Sequence, residues 1–213
     1  MDQSDSQEQT IVKANPWEHW LTIWTKPRET MRKIINGPDN RTELISLLLI
    51  GELINTLDRA SKNNLGDTLG FSSLILTCIA IAFIAAPIYY FVMSWLLFRI
   101  GKFFGGQGSL REIRLAFIYS YIPTVCSSII WIFMLLGFGH ENFTELTPRM
   151  DDHVGTIIAL GLLQLVISIW GIIINLSCLA EAHRFSALKA LMTYIFPVLL
   201  LLLLMLVAFT PFF

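Results

Sequence analysis

Apolar residues run in long blocks along this chain, and charged positions are confined to the short intervals between them. Residues 68–98, 115–139, 154–180 and 190–213 contain no Asp, Glu, Lys, Arg or His. Each block exceeds the roughly 20 residues with which an α-helix crosses a hydrocarbon core. The first opens on a polar lead-in, 68–73, which moves its predicted helix to about 74–98. Pro87, Pro123 and Pro197 fall within blocks. Membrane helices tolerate proline where neighbouring helices or Ser/Thr hydroxyls re-satisfy the freed carbonyl. A fifth segment, 42–60, is weaker because Glu52 and Asn55 interrupt it. With snorkelling ends it too reaches across.

Basic residues decide between four crossings and five. With five, 12 of the 15 Lys and Arg residues collect on one side and 3 on the other. Without the weak segment the division is 9 against 6. Lys and Arg accumulate on the cytoplasmic side of a membrane. The pattern therefore predicts an all-α polytopic membrane protein with five transmembrane helices, about 42–60, 74–98, 115–139, 154–180 and 190–210. The N-terminus is cytoplasmic and the C-terminus lies on the opposite side.

The segment ahead of the helices divides in two. Residues 1–14 read as a flexible cytoplasmic tail, and 15–40 as short amphipathic interfacial helices before the five-helix domain, 41–213. Asn15-Pro16-Trp17-Glu18 has the cap, the proline and the acid of a helix start. Trp17, Trp20, Leu21 and Trp24 follow at helical spacing, a composition suited to the membrane interface. A second short helix begins at Lys26-Pro27-Arg28-Glu29 and ends at Asn36-Gly37-Pro38. Met31, Ile34 and Ile35 form its apolar face and Arg28, Arg32 and Lys33 its basic one. Two placements are open, on the cytoplasmic leaflet or against the protein's own helices, and both can hold at once.

Composition narrows the class. Hydrophobic residues make up 54% of the 213 positions and charged residues 15%, against roughly 25% charge in soluble domains. Mean hydropathy is +0.63. A net charge of −1 leaves no footprint for nucleic acid. No signal-peptide pattern opens the chain. Cys78, Cys126 and Cys178 all fall within predicted spans, so no disulfide framework is expected.

Four further segments stand out, in order along the chain. The first is Ile23-Trp24-Thr25-Lys26-Pro27-Arg28-Glu29-Thr30. The second is Leu57-Asp58-Arg59-Ala60-Ser61 with Asn64 and Gly66-Asp67. Gly105-Gly106-Gln107-Gly108-Ser109 with Arg111-Glu112 and Tyr121-Ile122-Pro123 is the third. Leu179-Ala180-Glu181-Ala182-His183-Arg184-Phe185-Ser186 with Lys189-Ala190-Leu191 is the fourth. Together, over about 15–209, these segments resemble the bacterial branch of the Yip domain family, named for Ypt/Rab-GTPase-interacting proteins. The resemblance implies five helices and a cytosolic N-terminus, in a bacterial plasma membrane. Eukaryotic members work with small GTPases, but their Asp-Leu-Tyr-Gly-Pro stretch is absent here, which argues against such binding. Some bacterial members resemble accessory subunits of export complexes.

Candidate residues fall in two sets. Glu52, Asn55, Gln164 and Asn175 are polar groups at membrane depth. An intramembrane carboxylate is costly unless paired, protonated or wet. Glu52 either joins an amide of another helix in a polar cluster or snorkels from a shallow end. Trp17, Trp20, Trp24, Lys26, Arg28, Arg32, Lys33, Arg111, Arg114, Glu181 and Arg184 form the cytoplasmic face. That face is suited to lipid phosphates or an acidic partner segment, and Glu181 is expected to pair with Arg111 or Arg114. Ser109 and Glu112 read as a capping box. The intervening glycine-rich loop, with Arg99 and Lys102, lacks the Lys-Ser/Thr ending of a phosphate loop. His183 has nothing evident to act on as a base. His140, Glu141, Glu145, Asp151, Asp152 and His153 lack directed metal spacing. No nucleophile motif occurs. The reading is a non-enzymatic integral membrane protein with no metal or cofactor, which organises membrane or assists partner membrane proteins, with self-association among the contacts open to it. The alternatives are a small transporter or channel component using Glu52, or an accessory subunit of an ABC-type exporter.

Overall fold

The computed structural model of the chain describes residues 17–209. The predicted tail and the Asn15-Pro16 cap lie outside them. Every regular element among the described residues is helical. The helices are α1 (Glu18–Thr22), α2 (Pro27–Asn36), α3 (Arg41–Lys62), α4 (Phe71–Phe103), α5 (Leu110–Tyr119), α6 (Ile122–Cys126), α7 (Ser128–Phe138), α8 (Pro148–Asp151), α9 (Val154–His183) and α10 (Ala187–Phe209).

Local chemistry sets their ends. Asn40 caps α3, its Oδ1 accepting from the Glu43 amide at 3.3 Å. The Ser109–Glu112 capping box forms as expected, and it starts α5 five residues ahead of the predicted span. Arg184 adopts the left-handed conformation that closes α9. In addition, the Phe185 amide returns to the Ala180 carbonyl at 3.0 Å.

Two boundaries differ from the sequence reading. α4 runs on through Arg99 and Lys102, residues expected in a loop. Their cations lie over the Trp95 and Phe98 rings one turn back, at 6.0 and 5.6 Å. The predicted span 115–139 is not one helix but the succession α5, α6 and α7. Pro123 has no N–H to bond back to Tyr119, so the ladder breaks there. Ser120 and Ser127 stand at the two breaks and donate to the Phe117 and Thr124 carbonyls at 2.6 and 2.7 Å.

Three stretches are long and apolar enough to cross a membrane, Phe71–Phe103, Leu110–Phe143 and Val154–His183, and Ala187–Leu200 is a shorter apolar helix. Their mid-portions turn large apolar side chains outward, among them Phe83, Ile84, Leu136, Val166 and Leu199. Such a surface is stable against hydrocarbon and not against water. Buried residues gather in two clusters. The larger joins Ile23 and Met31 of the N-terminal arm to Leu47, Leu97, Ile113, Ile122, Ile174 and Leu179. The smaller, at the other end of the bundle, holds Leu57, Ala60, Leu74, Cys78 and Phe143. Phe143 there stacks on Trp131 at 5.8 Å. The arm is thus part of the core, which settles that α2 packs on the protein's own helices.

Candidate functional site

α1 is a single turn, so the tryptophans do not share one helical stripe. Trp17 is 64% exposed, with Leu21 beside it at 74%. Trp24 packs on the larger core cluster, and its carbonyl accepts from Trp170 Nε1 at 2.9 Å. Trp20 turns inward, its Nε1 donating to Glu43 Oε1 at 2.7 Å. The Glu43 carboxylate also meets His19 Nε2 at 2.5 Å and accepts from the Tyr119 hydroxyl at 3.1 Å. One carboxylate in the first turn of α3 therefore moors α1 and α5 together. Sequence reasoning missed it. An acid three residues after an Asn cap reads as part of the helix start, and its donors lie far away in the chain.

Arginines fasten α2 to the helix ends. Arg111 grips Asp39 with two hydrogen bonds, Nη2 to Oδ1 at 2.6 Å and Nε to Oδ2 at 3.2 Å. It also donates to the Ile35 and Gly37 carbonyls at 3.1 and 3.3 Å, closing the turn after α2. Glu181 pairs not with Arg111 or Arg114 but with Arg32 Nε, at 2.7 Å. That hydrogen bond, and then the charge of Glu181, hold the Arg32 guanidinium above its ordinary value. Arg184 Nη2 donates to Glu112 Oε1 at 2.6 Å. Arg114 instead lies over Phe91 and Tyr90, at 5.2 and 5.8 Å. Lys33 meets Glu18 at 3.1 Å and Lys26 meets Glu29 at 3.7 Å.

These placements bring four of the face residues around one concavity. Arg28, Arg32, Glu181 and Arg184 line a pocket of about 530 Å³ with Ile35 and Phe185. Arg32 and Arg184 each have a carboxylate partner. Arg28 makes no ion pair among the described residues. With Glu181 paired to Arg32 and Glu112 to Arg184, the guanidinium of Arg28 is the uncompensated charge at the pocket, a setting for a phosphate or carboxylate group. Trp17, Trp20, Trp24, Lys26, Lys33, Arg111 and Arg114 stand outside it.

The glycine-rich loop serves packing. His183 is fully buried, its Nε2 3.2 Å from the Leu97 carbonyl. A side chain at Gly101 or Gly106 would overlap the imidazole. Gly105 makes the turn itself at φ +83°. The Gln107 amide then donates to the His183 carbonyl at 2.9 Å.

Glu52 does not snorkel, being 1% exposed. Its amide partner is on its own helix and not on another: Asn55 Nδ2 donates to Oε2 at 3.4 Å. Arg59 Nη1 stands 3.8 Å from Oε1. Asp58, next to Arg59 in the chain, accepts from Trp131 Nε1 at 2.9 Å. Asn55, Gln164 and Asn175 converge on a second cavity, of about 450 Å³, while Glu52 is not among its lining residues. Asn175 Nδ2 donates across it to Ser120 Oγ at 2.9 Å.

At the opposite end, Glu141 Oε2 accepts from the Arg149 and Met150 amides at 3.0 and 3.2 Å. Asp67 accepts from the Glu145 amide at 3.3 Å. His140 Nε2 stands 3.1 Å from the Leu69 carbonyl. Among the described residues no group of three His, Cys, Asp or Glu side chains is placed to hold a metal ion.

The family model described as the Yip1 domain matches residues 21–209. No curated protein matches the chain, and no solved structure does.

Proposed function

Because the chain belongs to the Yip1 domain family and is an integral membrane protein, we propose that it crosses the bilayer five times and works without catalysis. In this reading α3 and α10 complete the set of spans. At about 1.5 Å per residue, the 22 residues of α3 are long enough. Its polar Glu52 and Thr56 are buried, so hydrocarbon does not meet them. The unequal division of Lys and Arg supports a cytoplasmic N-terminus, and the plasma membrane of a bacterium is the setting.

The cationic pocket of Arg28, Arg32 and Arg184 carries the reading. It sits between α2 and the C-terminal end of α9, which the Arg32–Glu181 pair joins, while the Arg111–Asp39 clamp closes the turn after α2. Its task is to engage the anionic group of a phospholipid or the acidic segment of a partner membrane protein. Through it the protein organises membrane or assists that partner. Transport through Glu52 has less support, since the carboxylate is enclosed, paired and away from the cavity lining.

Crosslinking in native membranes, followed by isolation in mild detergent, tests the proposal. A lipid or protein should co-isolate with the wild type and be lost with Arg28→Glu. Co-isolation unaffected by that change, or none above an unrelated multi-span protein, would end it. Sidedness reporters on the two termini test the five crossings, and signals from a single compartment would overturn them.

A further inference from the structure

The second cavity lies between α3, α4, α5, α6, α9 and α10, and no part of the reading above uses it. Its depth follows from helix geometry. Gln164 is ten residues along α9 from Val154, about 15 Å, the middle of a hydrocarbon core about 30 Å thick. Asn175 is eleven residues further along and lies toward the arm. Ser120, beside Pro123 and the break in the helix ladder, faces Asn175 there. The cavity therefore slopes from the interfacial zone to the bilayer centre.

Its chemistry is polar but uncharged. Asn55, Ser120, Thr124, Gln164, Ser168 and Tyr194 contribute to the walls, and no Asp, Glu, Lys, Arg or His does. Gln164 Oε1 is buried and has no hydrogen-bond donor. An unmet acceptor at that depth is costly, because hydrocarbon supplies no donor. Ser168 and Ile172 line the cavity and are exposed, and both lie in the middle of α9, well away from either end of that apolar span. The mouth thus opens sideways on the lipid, not on water.

We propose that this cavity binds a neutral lipid bearing a free hydroxyl, of the diacylglycerol type, whose O–H donates to Gln164 Oε1 once a turn of the terminal amide brings that oxygen to the cavity wall. A molecule arriving through the mouth comes from the hydrocarbon, where a charged headgroup is excluded by several kcal/mol. It must bring a donor to meet Gln164, and ester carbonyls to meet the serine and threonine hydroxyls. A volume of about 450 Å³ accepts the glycerol region and the first part of a chain, within the usual range of ligand sites.

The full-length protein in phosphatidylcholine vesicles tests this. Photoactivatable diacylglycerol and photoactivatable phosphatidylcholine with the same chains are compared as labels. Peptides of α9 should be labelled preferentially by the diacylglycerol. Gln164→Met, which keeps length and loses the oxygen, should lower that labelling about fivefold, the scale of one hydrogen bond. Ser168→Leu, which narrows the mouth, should lower it independently. Equal labelling by the two lipids overturns the proposal, as does labelling indifferent to both variants. Efficient disulfide formation between copies carrying Gln164→Cys also overturns it, by making a second protein chain the occupant.

Discussion

The imidazole of His183 fills the space that a side chain at Gly101 would need. One residue ends α9 and the other lies in the last turn of α4, so their contact sets how closely two long helices approach. Gly106 closes on the same ring from the loop that follows.

Gly101→Ala therefore forces the histidine or the helix to shift. Overpacking of this kind costs about 1–3 kcal/mol, read as a fall in melting temperature in detergent. Gly137→Ala is the control, because nothing lies within 4 Å of its added carbon. Its melting temperature should hold or rise, since alanine in a helix is favoured over glycine by about 0.5–1 kcal/mol.

Removing Glu43 unmoors α1. Glu43→Ala leaves His19, Trp20 and Tyr119 without their acceptor, a loss of about 1.5–3 kcal/mol for hydrogen bonds to a charged group. Tryptic cleavage after Arg28 should accelerate in vesicles, with Glu43→Gln between the variant and the wild type. Unchanged cleavage in Glu43→Ala would show that lipid alone holds the arm.

The Arg111–Asp39 clamp is half-exposed, which limits its value. A double-mutant cycle on Arg111→Ala and Asp39→Ala should give a coupling of about 0.5–1 kcal/mol. Arg111→Ala alone should cost more than Asp39→Ala, because it also abandons the carbonyls of Ile35 and Gly37.

Glu52 separates packing from passage. Glu52→Gln keeps a partner for Asn55 and should stay within about 1 kcal/mol of the wild type, whereas Glu52→Ala should lose about 2–3 kcal/mol. Proton flux in vesicles should be the same in Glu52→Gln and wild type. A flux abolished by the glutamine would restore the transport reading.

Which parts were legible in the sequence follows from the range of each interaction. Ser109 and Glu112, three residues apart, announced their own capping box. Lys26-Pro27 and Asn36-Gly37-Pro38 marked both ends of α2. Long apolar blocks located α4, α9 and α10 to within a few residues at most ends. Long-range partners were not legible. Arg32, Arg111 and Arg114 are chemically alike, and only the fold decides that the first meets Glu181, the second Asp39 and the third a pair of rings. Pro123 reads in the sequence as a tolerated proline within one span, and that the helix divides there depends on Ser120, Ser127 and the neighbours available to them. The convergence of Asn55, Gln164 and Asn175 on one cavity depends likewise on how three helices are rotated.

The two buried clusters share their helices: α3 and α4 contribute Leu47 and Leu97 to the larger and Leu57 and Leu74 to the smaller. Each cluster can loosen as a separate cooperative unit, so a single melting curve blends two events. The chain carries its own reporters of them: Cys178 is enclosed in the larger cluster and Cys78 in the smaller. The order in which a thiol reagent reaches the two during heating tells which cluster gives way first.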